Sequence, residues 1–223
     1  MIIILSIIII LGNFNFLIFN KNHYRSLYIK VGVYQNFQNQ KIIDSATDNL
    51  FGYFRGQNKL DQNFFSMQAV SHLKDVKDLL QVSNGLFYFS FIAVICLGIF
   101  LVAKKRSKIV FKSLFISSIV TIIFVVMLGL GAATAFDSFF LKFHQLLFTN
   151  TLWLFPPDDN LIRLFPQQFF VEFANRLALN ILITSIIIAS VAFSISHSVI
   201  PNLFRDLQLK MLKRVQHDKK GMT

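Results

Sequence analysis

Apolar residues gather into four long runs along this chain, 1–19, 86–103, 110–136 and 177–200, instead of alternating with polar ones. A helix crossing the roughly 30 Å hydrocarbon layer of a bilayer needs about 20 mostly apolar residues at about 1.5 Å each. Backbone N–H and C=O groups find no water there, so the runs predict helices despite their many β-branched residues. The only Lys or Arg within them is Lys112, near the start of the third run and long enough to reach the headgroups. The pattern predicts an all-α membrane protein with four transmembrane helices. No basic stretch precedes the first run and no A-x-A-like site follows it, so a retained anchor is expected rather than a cleaved signal peptide.

The segments between the runs are polar enough to lie outside hydrocarbon. In 20–85, the alternation from Tyr28 to Tyr34 predicts a strand. A helix is expected over 42–54, starting near Asp44 or Ser45 and ended by Gly56. Over 63–82 the spacing of Phe64, Met67, Val70, Leu73, Val76 and Leu80 predicts an amphipathic helix. His72 sits at the edge of that stripe, and Asp75, three residues on, is placed to meet its ring. The segment 137–176 is crowded with aromatic residues for a stretch without a span. A helix over 137–148 carries His144 among phenylalanines, Pro156, Pro157 and Pro166 interrupt the chain, and 161–165 is short and apolar. That pattern predicts an aromatic-rich cap lying on the membrane or lining a pocket at its surface, not a fifth span.

Charge orients the chain. The short segment 104–109 holds Lys104, Lys105, Arg106 and Lys108 with no acid, and the tail 201–223 is also strongly basic. Short basic segments stay in the cytoplasm, so both termini are expected inside, with cap segments 20–85 and 137–176 outside a bacterial cytoplasmic membrane. The net charge of +11 lies mostly beside the spans, where anionic headgroups attract it, so no nucleic-acid partner is expected. Composition agrees with the pattern: 54% of the 223 residues are hydrophobic and only 15% charged, too few to cover a water-facing globule. The single cysteine, Cys96, falls in the second run, so no internal disulfide staples the outer segments.

Several short motifs fall in order between these spans: Tyr53-Phe-Arg-Gly56, His72-Leu-Lys-Asp75-Val-Lys77, Phe143-His144-Gln-Leu-Leu-Phe148-Thr-Asn150, Trp153-Leu, Pro156, Asp159, Leu161-Ile162, Pro166 and Phe169-Phe170. In this order and placement the chain resembles the Lit family of bacterial lipoprotein intramolecular transacylases over residues 1–200. The resemblance implies four transmembrane helices under an extracytoplasmic cap. It also implies transfer of the sn-2 acyl chain of a diacylglyceryl-modified N-terminal cysteine to that cysteine's own α-amino group. The expected partners are therefore diacylglyceryl-modified lipoproteins and membrane lipid. The family's two catalytic histidines map onto His72 and His144. Two departures stand out: Ala69 occupies a position where Glu is common, and the spacing between Trp153 and Asp159 is shifted.

Ester-to-amine acyl transfer needs a base for the amine, a stabilised oxyanion and a proton for the leaving alkoxide. Histidine, with a reference pKa of about 6.5, accepts and returns a proton near neutrality. The division of roles between His72 and His144 is left open, with His144 favoured as base. Asp75 is a candidate to orient His72. Asn150, Trp153 and Arg163 are candidate oxyanion donors. Tyr53 and Asp159 are candidates for either scaffold or substrate contact. Donor and acceptor share one molecule, so no cofactor is expected, and H-x-x-D is too sparse a pattern to specify a metal. Two alternatives stay open, another lipid acyltransferase or hydrolase using the same histidines, and a noncatalytic lipid-binding scaffold.

Overall fold

In a computed structural model, which describes residues 1–37, 39–196 and 211, the chain is built from α-helices, with no strand among the described residues. The helices are α1 Ile2–Ile18, α2 Lys21–Lys30, α3 Gln40–Phe54, α4 Met67–Ala103, α5 Ser107–Thr134, α6 Phe136–Leu147, α7 Asn160–Leu164 and α8 Gln167–Ser194; a 3-10 turn, Val33–Asn36, precedes α3. The basic tail and the last residues of the fourth apolar run lie outside the described residues, apart from Met211.

Helices α4, α5 and α8 are each long and apolar enough to cross a membrane. The pair α1 and α2 qualifies as a fourth only if counted together, and it bends by 74° at its break. These helices carry their apolar side chains outward: Phe89 is 72% exposed, Ile99 66% and Met127 68%. In water such a surface would aggregate, whereas lipid tails cover it at no cost.

Between the long helices the packing is close and rich in small residues. Ser117, Ser118 and Thr121 of α5 and Ser185, Ala189 and Ala192 of α8 are buried. Short side chains let backbones approach where no hydrophobic force drives helices together. Ser6 of α1 donates from Oγ to the Ser117 carbonyl across 3.2 Å, and Thr121 Oγ1 donates to the same carbonyl at 2.8 Å. A slim apolar core of Ile9, Val125 and Ile181 completes the bundle.

The larger core is at one end of the bundle. It gathers Tyr24, Leu27 and Tyr28 of α2, Ile43, Leu50 and Phe51 of α3, Ala69 and Leu73 of α4, and Leu164, Phe165 and Phe169 near the α7–α8 junction. Tyr28 is fully buried, and its hydroxyl pairs with Thr47 Oγ1 at 2.9 Å. Ala69 has no exposed surface, so its methyl group packs where a longer acidic side chain would be desolvated.

The strand expected from Tyr28 to Tyr34 is not formed: the segment is the end of α2 followed by the 3-10 turn. Asn20 caps α2 by accepting from the His23 N–H, and Tyr24, Leu27 and Tyr28 bury one face at helical spacing. Cap and burial together override the β preference of a short aromatic stretch. Helix α3 begins earlier than expected because Asn39 supplies its cap, accepting from Lys41 N. It ends at Gly56, whose φ of +75° is open to glycine without strain. The amphipathic helix over 63–82 and the second apolar run are one uninterrupted 37-residue helix, α4, capped by the Ser66 hydroxyl accepting from Ala69 N.

Candidate active site

Helix α4 is about 55 Å long at 1.5 Å per residue, far more than the roughly 30 Å of hydrocarbon. Its continuous apolar part begins at Leu86, and His72 lies fourteen residues earlier, in the more polar N-terminal half. His72 is 8% exposed, wedged edge-on against Phe148 and Phe155 with ring centroids 5.0 and 5.6 Å away. His144 is on α6, its ring 4.2 Å from Phe140, 5.0 Å from Trp153 and 5.8 Å from Phe148. The two histidines therefore share one phenyl ring, that of Phe148.

Both imidazoles are held neutral. Burial pushes the His72 pKa down to about 4, assisted by the neighbouring His144 and opposed by Asp75. Burial also lowers that of His144, against a partial rise from the Phe140 carbonyl. That carbonyl lies 2.8 Å from His144 Nδ1. A carbonyl only accepts, so Nδ1 carries the proton and the basic lone pair is on Nε2. On His72, Nδ1 is buried without a hydrogen-bond partner.

A loop, residues 148–155, closes over the pair and is tied to α4 on both sides of His72. Four residues before it, Gln68 donates from Nε2 to the Leu152 and Leu154 carbonyls at 3.1 and 2.8 Å. Three residues after it, Asp75 accepts from Asn150 Nδ2 at 2.8 Å. Asp75 thus holds the loop through its Oδ2, three residues from His72 on the same helix. The indole N–H of Trp153 is used on the Asn150 carbonyl at 2.8 Å, and its ring lies beside that of His144 with centroids 5.0 Å apart.

Other candidates are more distant in role. Asp159 caps α7 through Leu161 N and accepts from Ser66 Oγ at 2.7 Å, joining α7 to the start of α4. Arg163 lies over the Phe37 ring, 4.4 Å from its centroid, and donates to the Asn36 and Asn160 oxygens. It lines a shallow groove with Pro157, Asp158 and Ile162 that includes neither histidine. Tyr53 lies under the Lys77 ammonium at 4.2 Å. Phe148, Phe155, Phe140 and Gln68 do more to build the site than the sequence indicated. Phe140 and Phe148, each four residues from His144, and Gln68, one turn before His72, are recognisable from their spacing. Among the described residues no three His, Cys, Asp or Glu side chains converge as metal ligands.

The family model for the lipoprotein intramolecular transacylase Lit matches residues 1–170. The chain belongs to the Lit family. Solved structures agree with this membership. The membrane-integral lipoprotein intramolecular transacylase Lit from Bacillus cereus superimposes with a TM-score of 0.75 at 26% identity, covering 95% of this chain and 96% of that one. A form of the same protein with one histidine replaced by alanine gives 0.73 at 27% identity, covering 86% and 88%. A third, with arginine at that histidine, gives 0.70 at 25%, covering 94% and 92%. An uncharacterized protein of Aquifex aeolicus (strain VF5) is 29% identical over 112 residues, 48% of this chain and 47% of the relative. The chain thus spans about half the length of that relative, and nearly all of the Bacillus enzyme. This is a membrane protein of a lipoprotein transacylase family.

Proposed function

We propose that this chain moves the sn-2 acyl group of a diacylglyceryl-modified N-terminal cysteine to the α-amino group of the same cysteine, leaving a lyso-form lipoprotein. The observation that carries the reading is the pair of neutral histidines sharing the Phe148 ring in a chain of this family. His144 Nε2 accepts a proton from the amine as nitrogen attacks the ester carbonyl. The C–N bond forms, the ester C–O bond breaks, and the proton captured by His144 passes to the glyceryl oxygen, with neutral His72 as a hydrogen-bonding partner. One proton leaves nitrogen and one reaches oxygen, so the step is balanced without water or cofactor.

Imidazoles with lowered pKa are unprotonated at neutrality and return a captured proton readily. The orphaned His72 Nδ1 is a hydrogen-bonding site for substrate. Asn150 keeps a second amide proton, beyond the one given to Asp75, for the carbonyl oxygen. Positioning does much of the work, because amine and ester belong to one molecule and need only be held together. Phe140, Phe143, Phe148 and Phe155 keep water from the intermediate.

In this reading α1 forms the fourth span, α2 turns into the cap, the termini face the cytoplasm, and the aromatic end of the bundle is an extracytoplasmic cap on the inner membrane. Expression in a bacterium lacking lipoprotein N-acylation, followed by tandem mass spectrometry of one lipoprotein's N-terminal lipopeptide, tests the assignment. The expected product has one acyl chain moved from glycerol to nitrogen at unchanged mass. Its formation should fall about 100-fold or more in His72→Ala and in His144→Ala, the usual scale of acid–base catalysis. An unshifted lipopeptide from well-expressed protein, or release of free fatty acid in its place, would refute the reading.

A further inference from the structure

Glu172 and Arg176 are one turn apart on α8, Glu first, the order in which a helical ion pair is most favourable. The pair is not made. Glu172 is drawn instead to Lys30 at the end of α2, 2.5 Å away, and the exposed Arg176 has no carboxylate partner among the described residues. The other acids facing α2 are also taken, Asp48 by Lys21 and Asp44 by Arg25. The charge of Arg176 therefore falls on His23. That ring lies 5.6 Å from Phe173, three residues before Arg176, and its Nε2 is buried without a hydrogen-bond partner. Burial, and then the Arg176 charge, lower the His23 pKa. A cation and an imidazole nitrogen, both left over, thus meet at the corner where α2 turns away from α1 by 74°.

We infer that this corner binds the phosphate of a membrane phospholipid, with Arg176 as its ion pair and His23 as the second donor. Depth identifies the occupant as a lipid. Arg176 immediately precedes the fourth apolar run, 177–200, and the first run ends at Phe19, four residues before His23. Both groups stand where spans emerge from hydrocarbon, the level at which lipid phosphates are found. Beside the corner, Phe14 of α1 meets Phe173 edge-on at 6.5 Å, an aromatic floor for the glycerol end of the lipid. Chemistry agrees, since a phosphodiester brings one negative charge and several acceptor oxygens to one guanidinium and one ring N–H. A diacylglyceryl-cysteine has no phosphate, so this lipid is not the acyl donor of the proposed reaction. The inference stands whether or not that reaction does.

A bound anion reverses the effect of Arg176 on His23, and that reversal is the readout. The full chain with nitrogen-labelled imidazoles is titrated by NMR in dodecyl maltoside, a phosphate-free detergent, with His23→Gln assigning the resonance. Adding phosphatidylglycerol should raise the His23 midpoint by about one pH unit or more. Inorganic phosphate at the same concentration should leave it in place. Arg176→Gln should raise the midpoint without lipid and abolish the response, whereas Arg176→Lys keeps the charge and the response. Lys30→Gln, which releases Glu172 to pair with Arg176, should blunt the response as well. No rise with phosphatidylglycerol would overturn the inference. A rise equal with inorganic phosphate would overturn the lipid as occupant. A rise shared by His144 and unchanged in Arg176→Gln would also overturn it, because it marks the surface potential of an anionic micelle and not a site.

Discussion

At the scale of single residues, the acidity of the two imidazoles governs behaviour with pH. Both are lowered by burial, His72 to about 4, whereas an unfolded chain binds protons at both near pH 6.5. The unfolded state therefore takes up more protons as pH falls from 6.5. The stability these neutral histidines allow is fully present above about 6.5 and is lost progressively as pH drops toward the folded values. The same signs apply to the reaction, because the base works only when unprotonated. The substrate's α-amine, with a reference pKa of about 7.7–8.0, sets an acid limb of its own in the acyl-transfer assay, so the rings are followed directly: by NMR of labelled imidazoles both should titrate below about pH 6.5. Titration of both rings at or above about 6.5 would show that neither is desolvated.

At the scale of elements, the loop 148–155 depends on α4 through side chains rather than through a core of its own. Gln68→Leu keeps the volume and removes both hydrogen bonds to the Leu152 and Leu154 carbonyls. A stability loss of about 1–2 kcal/mol is expected, from roughly 1 kcal/mol per bond, read as a lowered Tm in detergent. Displacement of Phe148 and Trp153 should reduce kcat about tenfold, or ~1.4 kcal/mol, with a smaller change in KM. Much of this element level was legible in the sequence. Apolar runs and their lengths mark the long helices, and the Phe64–Leu80 stripe marks the helix that holds His72. Continuity of α4 was not, because polarity changes along it while the backbone does not. The segment 28–34 reads as a strand because β-branched and aromatic residues at alternate positions mimic one, and the Asn20 cap with burial of Tyr24 and Tyr28 against α3 and α8 decides otherwise. Phe148 as the ring between the histidines was not legible, since its neighbours come from elements about 75 residues apart in sequence.

For the whole molecule, the bundle and the aromatic end obey different solvents. Ser185 of α8 has a buried hydroxyl with no partner, so Ser185→Ala should be neutral or stabilising by up to about 1 kcal/mol. Ser117→Leu, at a fully buried site against α1, should destabilise by about 1–3 kcal/mol through overpacking. Thermal melting of both variants in one detergent gives the comparison. The unbroken course of α4 has a further consequence. One helix carries lipid contacts at one end and His72 at the other, so it serves as both ruler and compass. Adding one residue between Asp78 and Leu86 would turn His72 by about 100° relative to the span and lift it by only about 1.5 Å. Adding seven would restore its bearing almost fully while raising it about 10.5 Å. The first change aims the imidazole away from Phe148 at nearly the right height, and the second aims it correctly above its substrate. Drift in the length of this helix is therefore confined from two directions at once, and the distance from the apolar span to the His72 ring is written into the count of residues between them.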